Sequence, residues 1–304
     1  MKNVFLPLLL LFAINGVCAP SGDIVKDTTN QLSILTWNLK MLPRGGVFLK
    51  HHPIIRARII PAEIMKESPD VLVFQEMFDG LADGIIRKKL KAMYPYSQGF
   101  QNRFGITYKR AGGVLIFSKY PLKEIESITY SQQKGVDKIG HKGCLLVEVQ
   151  HPAGKIQVLG THMQAGGKRE LKISQYTEAG ELLRRHQTEG IPQFACGDFN
   201  THKEDTFMYN KLVNLMQVED GDFCSDLKCS SDHGLCDMGK YNPKKKSIID
   251  YVFFRGNGTV LGDPSRKVVR FTKRWSKKHE DLSDHFAVLL KAHLPEPVPH
   301  ASGK

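Results

Sequence analysis

The sequence predicts an α/β fold, and three observations carry that prediction. Short continuous apolar runs, such as Val71-Leu72-Val73-Phe74, read as strands of a sheet covered on both faces. Longer stretches with apolar residues at helical spacing alternate with them. Polar residues recur where the apolar runs stop, which is where α/β proteins hold their chemistry. By alternation alone a doubly wound sheet fits. The 304 residues suffice for one large domain, and no repeat or linker divides them.

The elements follow in order. Leu32 to Trp37 is strand-like, ends at Asn38 and gives way to a loop marked by Pro43, Gly45 and Gly46. Residues 54–67 carry Ile55, Ile59, Ile60, Ile64 and Met65 near helical spacing. Pro69-Asp70 turns into the strand 71–74, directly followed by Gln75-Glu76. Residues 80–92 read as a helix and 114–117 as a strand after Gly112-Gly113. Strands 145–149 and 156–159 flank Pro152-Ala153-Gly154, a hairpin signal, and the second runs into Gly160-Thr161-His162. The longest helical pattern covers 168–188. Gln193 to Cys196 then reads as a buried strand that stops at Gly197, with Asp198 and Asn200 two residues apart on one face. A helix near 206–216, a Cys- and Lys-rich loop 221–247, a strand 248–254 and a last strand from Phe286 to Leu294 complete the domain, 32–294.

Residues 1–19 have the layout of a secretory signal peptide: Lys2, an apolar run from Val4 to Ile14, then small residues to Ala19. The expected location is therefore extracellular, with a lipid anchor at Cys18 or a periplasmic location as alternatives. Residues 20–31 read as a flexible lead-in and 295–304 as a disordered tail. Export permits disulfides, and a local bridge among Cys224, Cys229 and Cys236 is expected, with a zinc site as the alternative; Cys144 and Cys196 are the other candidates. A formal charge of +12 suits a polyanionic partner, nucleic acid or anionic membrane.

Asn38, Glu76, His162, Asp198 with Asn200, and Asp284 with His285 all fall at strand ends. Singly, each has a plain structural explanation: a solvated loop acid for Glu76, a core histidine for His162, a turn or cap for Asp284 and for the Asp198–Asn200 pair. Asp250 is different, because a carboxylate between Ile249 and Tyr251 needs a partner, and a histidine is a natural one. Together they form an oxygen-rich set that suits Mg2+, with Mn2+ or Co2+ as substitutes, and two histidines for proton transfer. That inventory describes metal-assisted hydrolysis of a phosphate ester.

The ordered series Thr36-Trp37-Asn38, Gln75-Glu76, Gly160-Thr161-His162, Gly197-Asp198-Phe199-Asn200, Ile249-Asp250-Tyr251 and Ser283-Asp284-His285 resembles the endonuclease/exonuclease/phosphatase (DNase I-like) superfamily. The resemblance implies a four-layer α/β/β/α sandwich of two mainly antiparallel sheets rather than a doubly wound sheet. Finer features resemble the secreted bacterial neutral sphingomyelinases: Glu76-Met77-Phe78-Asp79, Asp137-x4-Lys142-Gly143 and Gly160-Thr161-His162-Met163-Gln164-Ala165. In that family an Asp–Lys pair, here Asp137 and Lys142, helps order the active-site loop. Phe271 to Lys278 interleaves aromatics with cations, so Phe271 and Trp275 are candidates for a membrane interface, the alternative being a strand with a buried face. The loop holding Cys224, Cys229 and Cys236 has no counterpart in that family pattern.

By the resemblance, Glu76 is the principal metal ligand with Asn38 and Asp284 in its shell. His285 is the general base, oriented by Asp250. Asp198 and Asn200 position the nucleophile and bind phosphate oxygen, and His162 donates to the phosphoryl group. The expected activity is hydrolysis of sphingomyelin at a membrane surface, giving ceramide and phosphocholine, with no obligate protein partner. The rivals are a secreted nuclease, another phospholipase C-type or phosphoinositide phosphatase activity, and a catalytically silent membrane-binding module.

Overall fold

The computed structural model describes residues 30–43, 51–99 and 112–295. The expected signal segment 1–19, all but the end of the lead-in, Gly45, Gly46 and all but the first residue of the tail lie outside the described residues. In chain order the elements begin with β1 (Gln31–Met41), α1 (Pro53–Ile64), β2 (Val71–Met77), α2 (Gly80–Leu90), β3 (Tyr96–Gly99), β4 (Leu115–Ser118) and β5 (Leu122–Thr129). Next come α3 (Val136–Ile139), β6 (Gly143–His151), β7 (Gly154–His162), α4 (Arg169–Arg185), β8 (Gln193–Asp198) and α5 (Thr206–Met216). The Cys- and Lys-rich segment holds the short strands β9 (Glu219–Asp220), β10 (Asp222–Phe223), β11 (Ser231–Asp232) and β12 (Lys246–Ser247). The chain closes with β13 (Asp250–Arg255), β14 (Gly262–Val269) and β15 (Ala287–His293).

Two large sheets form, ordered β10-β14-β15-β1-β2-β4-β3 and β5-β6-β7-β8-β13-β9. Most pairs are antiparallel; β1 with β2, β7 with β8, and β10 with β14 run parallel. The alternation of side chains along each strand divides the interior into three layers. Ile34, Val73 and Ile116 of the first sheet meet Val147, Val158, Phe194 and Val252 of the second in the central core. Leu35, Trp37, Leu72 and Phe74 point the other way, onto Ala57, Ile60, Ile86 and Leu90 of α1 and α2. Leu146, Leu159, Tyr251 and Phe253 pack on Tyr176, Leu182, Leu183 and Leu212 of α4 and α5. Each sheet is thus apolar on both faces, which is why its strands read as unbroken apolar runs. This is the four-layer sandwich.

Local chemistry sets the helix starts. Asp79 caps α2 by accepting from the N–H groups of Leu81 and Ala82, Asp205 caps α5 through Met208 N–H, and Pro53 opens α1. Gly197 departs from its expected role. It does not end the strand, since β8 continues through Asp198. Its φ is +150°, and a Cβ there would lie 2.0 Å from the carbonyl oxygen of Thr161 on β7, so glycine is required by close strand approach. The expected local disulfide is not found either. Cys229 and Cys236 are thiols, and Cys236 is buried with its Sγ donating to the Ser283 carbonyl. Cys144 and Cys196 are thiols within the core.

Candidate active site

Both sheets deliver polar residues to one end of the sandwich. β1 and β2 run parallel, with Asn38 opposite Gln75, so Asn38 and Glu76 emerge side by side. β7 and β8 likewise bring His162 opposite Asp198, and antiparallel β13 starts there with Asp250 opposite Asp198. Asp284 and His285 precede β15. Ser283 Oγ donates to the Asn38 carbonyl at 2.6 Å, and Trp37 Nε1 donates to the His285 carbonyl at 2.8 Å, tying the β15 lead-in to β1. Glu76 and Asn200 have left-handed backbones, φ 57° and 50°. Such strain in non-glycine residues is a feature of sites that must aim a side chain.

Asp198 is the hub. Its Oδ2 lies 3.1 Å from Asn38 Nδ2, 3.4 Å from His162 Nε2 and 3.9 Å from His285 Nε2, while Oδ1 accepts from Asn200 N–H at 2.9 Å. Burial would raise its pKa, but the facing charges of His285, His162 and Lys142 outweigh that and hold it well below the usual carboxylate range. Asp250 is fully buried and accepts from Ser230 Oγ at 2.7 Å; burial pushes its pKa up to about 6, against the pull of His285. His285 Nδ1 sits 2.9 Å from Asp250 Oδ2. Burial alone would lower the pKa of that imidazole, yet Asp250, Asp198 and Asp284 together raise it well above the ordinary value. With Nδ1 committed to Asp250, Nε2 is the atom left to take a proton.

Asp137 and Lys142 form a 2.9 Å ion pair. Lys142 Nζ also lies 2.9 Å from His162 Nε2 and donates to the Met163 carbonyl at 2.7 Å, while Asp137 Oδ2 accepts from Ala165 N–H at 3.0 Å. The α3 segment is thereby tied to the end of β7. A cavity of about 600 Å3 joins Glu76, Lys142, His162, Asp198, Asn200, Asp284 and His285. Its rim is apolar, with Leu42, Pro43, Phe78, Ile139 and Ala165.

The donor set fits a hard divalent cation. Glu76, Asp198 and Asp284 converge as carboxylates on one cavity, and a lysine ammonium, Lys40, is already drawn onto Asp284. Asn38 contributes differently from expectation. Its amide nitrogen donates to Glu76 Oε1 at 3.2 Å and to Asp198, and its oxygen accepts from Lys40 N–H, so it braces the carboxylates. A second grouping, Asp198, Asp250 and His285, also has ligand atoms within 4.8 Å of one another. Within it, His285 Nδ1 is already committed to Asp250.

Phe271 and Trp275 stand apart from this cavity's lining. Phe271 is 6% exposed and packs on Trp37 at 4.9 Å between ring centroids. Trp275 is half-buried, donates Nε1 to the Asp281 carbonyl at 2.7 Å and stacks on His279. For Phe271 the expected interfacial role is therefore corrected to the alternative, a stretch with a buried face, because a ring spent in the core is not presented to lipid; Trp275 stays partly exposed.

Sequence reasoning missed Lys40, Arg56 and Ser230. Arg56, 0% exposed, donates to the carbonyls of Leu39, Lys40, His51 and Leu282, binding the loop ends behind Asn38 and Asp284. Burial lowers its pKa to about 10 against the opposing pull of Asp284 and Glu76. Only an arginine inside an otherwise apolar helical pattern marked it in the sequence.

Comparison with known proteins shows the family and the fold. Phospholipase C of Staphylococcus aureus is 27% identical over 275 residues, covering 81% of this chain and 79% of that protein. Sphingomyelinase C of Bacillus cereus is 26% identical over 336 residues, covering 95% of this chain and 98% of that protein. The fold matches the crystal structure of beta toxin from Staphylococcus aureus with a TM-score of 0.75 at 23% identity, over 85% of this chain and 99% of that one. A beta toxin variant has also been solved with bound magnesium ions. The sequence pattern described as the Endonuclease/Exonuclease/phosphatase family matches residues 35–285, and the chain belongs to that family.

Proposed function

We propose that the chain is an exported, Mg2+-dependent phosphodiesterase that hydrolyses sphingomyelin to ceramide and phosphocholine. The observation that carries the reading is His285, backed by buried Asp250 and facing the same cavity as Glu76 and Asp198. That is a base held by a third group beside an oxygen-rich cation site. The apolar rim of Leu42, Pro43, Phe78 and Ile139 supports a lipid over a nucleic acid, and the sphingomyelinase C relative spans nearly the full chain. Export rests on the layout of residues 1–19.

A divalent cation held by Glu76, with Asn38 and Asp284 beside it, supplies charge neutralisation at a phosphoryl oxygen. This chain's residues do the rest. Neutral His285 takes a proton at Nε2 from the attacking water, while its Nδ1–H donates to Asp250 and the growing imidazolium is stabilised there. The new P–O bond forms as the bond to the ceramide oxygen breaks on the opposite side. Asp198 and Asn200 orient the water and phosphate, and His162, braced by Lys142, faces the charge that builds on the phosphoryl group.

Hydrolysis of sphingomyelin, phosphatidylcholine and plasmid DNA, measured side by side with Mg2+ and with chelator, tests the reading. Turnover of sphingomyelin that is lost with chelator is expected. Cleavage of DNA without turnover of sphingomyelin would replace it with the nuclease reading, which the basic charge of +12 favours.

A further inference from the structure

Lys40 lies near the end of β1, where the register between β1 and β2 shifts between Asn38 and Met41. Its backbone has φ 48°, in the left-handed region, which residues with a Cβ disfavour. Two contacts hold it there. Its N–H donates to Asn38 Oδ1 at 3.1 Å, and its carbonyl accepts from Nη2 of buried Arg56. So placed, the side chain lays its ammonium on Oδ2 of Asp284, with the two side chains only 18% and 22% exposed. The pair borders the catalytic cavity and also a second cavity of about 510 Å3, which His51, His233, Asp237, Trp275 and His279 help to line.

A carboxylate already neutralised by an ammonium is a poor ligand for another cation, because an arriving ion must first displace the resident one. Glu76 is in a different position. Its described partners are an amide N–H of Asn38 at 3.2 Å and His162 Nε2 at 4.0 Å, so its charge is left for a metal. Mg2+ needs no more, since it is held by one or two carboxylates and keeps several waters.

We infer that Lys40 is a resident cation of the active site, fixed on Asp284 where a second metal ion would otherwise bind. The chain then takes one divalent cation, at Glu76, and Asp284 serves Lys40. An ammonium has three N–H donors, so two remain for the phosphoryl oxygens of a bound diester. The inference rests on the reading of Glu76 as the metal ligand and gives Asp284 a narrower part within it.

Mg2+ titration of the chelator-stripped full chain by isothermal calorimetry tests this without any turnover. The wild type should bind one Mg2+. Asp284→Asn should change its affinity less than threefold. Lys40→Met frees the carboxylate and should tighten Mg2+ binding threefold or more, or admit a second ion, whereas Lys40→Arg, which keeps the charge, should match the wild type. Two ions in the wild type, a threefold or larger weakening in folded Asp284→Asn, or Lys40→Met indistinguishable from wild type would each overturn it. Undiminished Mg2+ binding by Glu76→Gln would sink the metal reading itself, so the two failures separate.

Discussion

The two halves of the catalytic cavity are built in opposite ways. On one side Asp198, Asp250 and His285 are locked together: Asp250 is fully buried, Ser230 and His285 satisfy it, and Asp198 accepts from Asn38 and Asn200. On the other side Glu76 and Asp284 are each 22% exposed; Lys40 answers the charge of Asp284, and that of Glu76 is left open. The first half is pre-organised by the protein, so its geometry does not wait for a ligand. The second is left open to solvent, as a site must be if a cation is to enter and keep part of its water. In the proposed reading, proton transfer belongs to the closed half and charge neutralisation to the open half.

The largest effect expected is the collapse of the closed half. His285→Ala should lower kcat by about 10²–10⁴-fold while leaving the circular dichroism spectrum intact, since the imidazole makes its contacts at the cavity. Wild-type turnover by that variant would remove the base assignment. Arg56→Met tests what both halves stand on. It strands four buried carbonyls, and a loss of about 3–5 kcal/mol in denaturant-derived stability is expected. A loss under 1 kcal/mol would mean that those carbonyls find other donors. Asp250→Asn has a smaller effect with a signature in pH. The active form of His285 is neutral, so activity falls as pH drops through its pKa. The Asp250 charge raises that pKa, so removing it should move the acid limb of kcat/KM to lower pH as the maximum falls. An unmoved limb would deny the coupling. Ser230→Ala removes the hydrogen bond to the Asp250 carboxylate, and the two that the hydroxyl accepts from the N–H groups of Ile249 and Asp250, and should cost about tenfold or less in kcat/KM, with KM unchanged.

The carboxylates of both halves were legible in the sequence, and what could not be read was the groups that hold them. Asp250 announced itself as a carboxylate inside an apolar strand, and Asp198, Asn200 and His285 sat in short motifs that depend on neighbours a few residues away. Lys40 gave no such signal. Its role comes from a left-handed backbone and from Asp284 and Arg56, neither of them near it in sequence. Ser230 sits in the Cys- and Lys-rich loop, where the cysteines drew the reading, and Arg56 lies on a helix read from its isoleucines. Among the strands that were missed, β3 and β5 lie at sheet edges, where one side is unpaired and polar side chains erase the apolar pattern, whereas β14 lies inside the first sheet and was hidden by its polar residues from Asp263 to Lys267. The layering of two sheets was implied by family resemblance alone, because periodicity does not say which strands become neighbours. The interleaved aromatics from Phe271 onward misled for the same reason: a pattern that suits an interface also suits a stretch with one ring turned inward.

The place of β15 between β14 and β1, well inside the first sheet, has a consequence for how the molecule comes into being. β15 comes far after β1 in the sequence, yet it is not an edge to be added at leisure but the partner of the first part of β1, from Gln31 opposite His293 to Thr36 opposite Val288. Until it arrives, β1 has an open side, and Asn38 lacks the Ser283 hydroxyl that ties it to the Asp284 segment. Contacts that span nearly the whole chain are slow to form and late to be rewarded. β1 can therefore pair early with β2 on one side, but its other side, and the tie between Asn38 and the Asp284 segment, wait for β15.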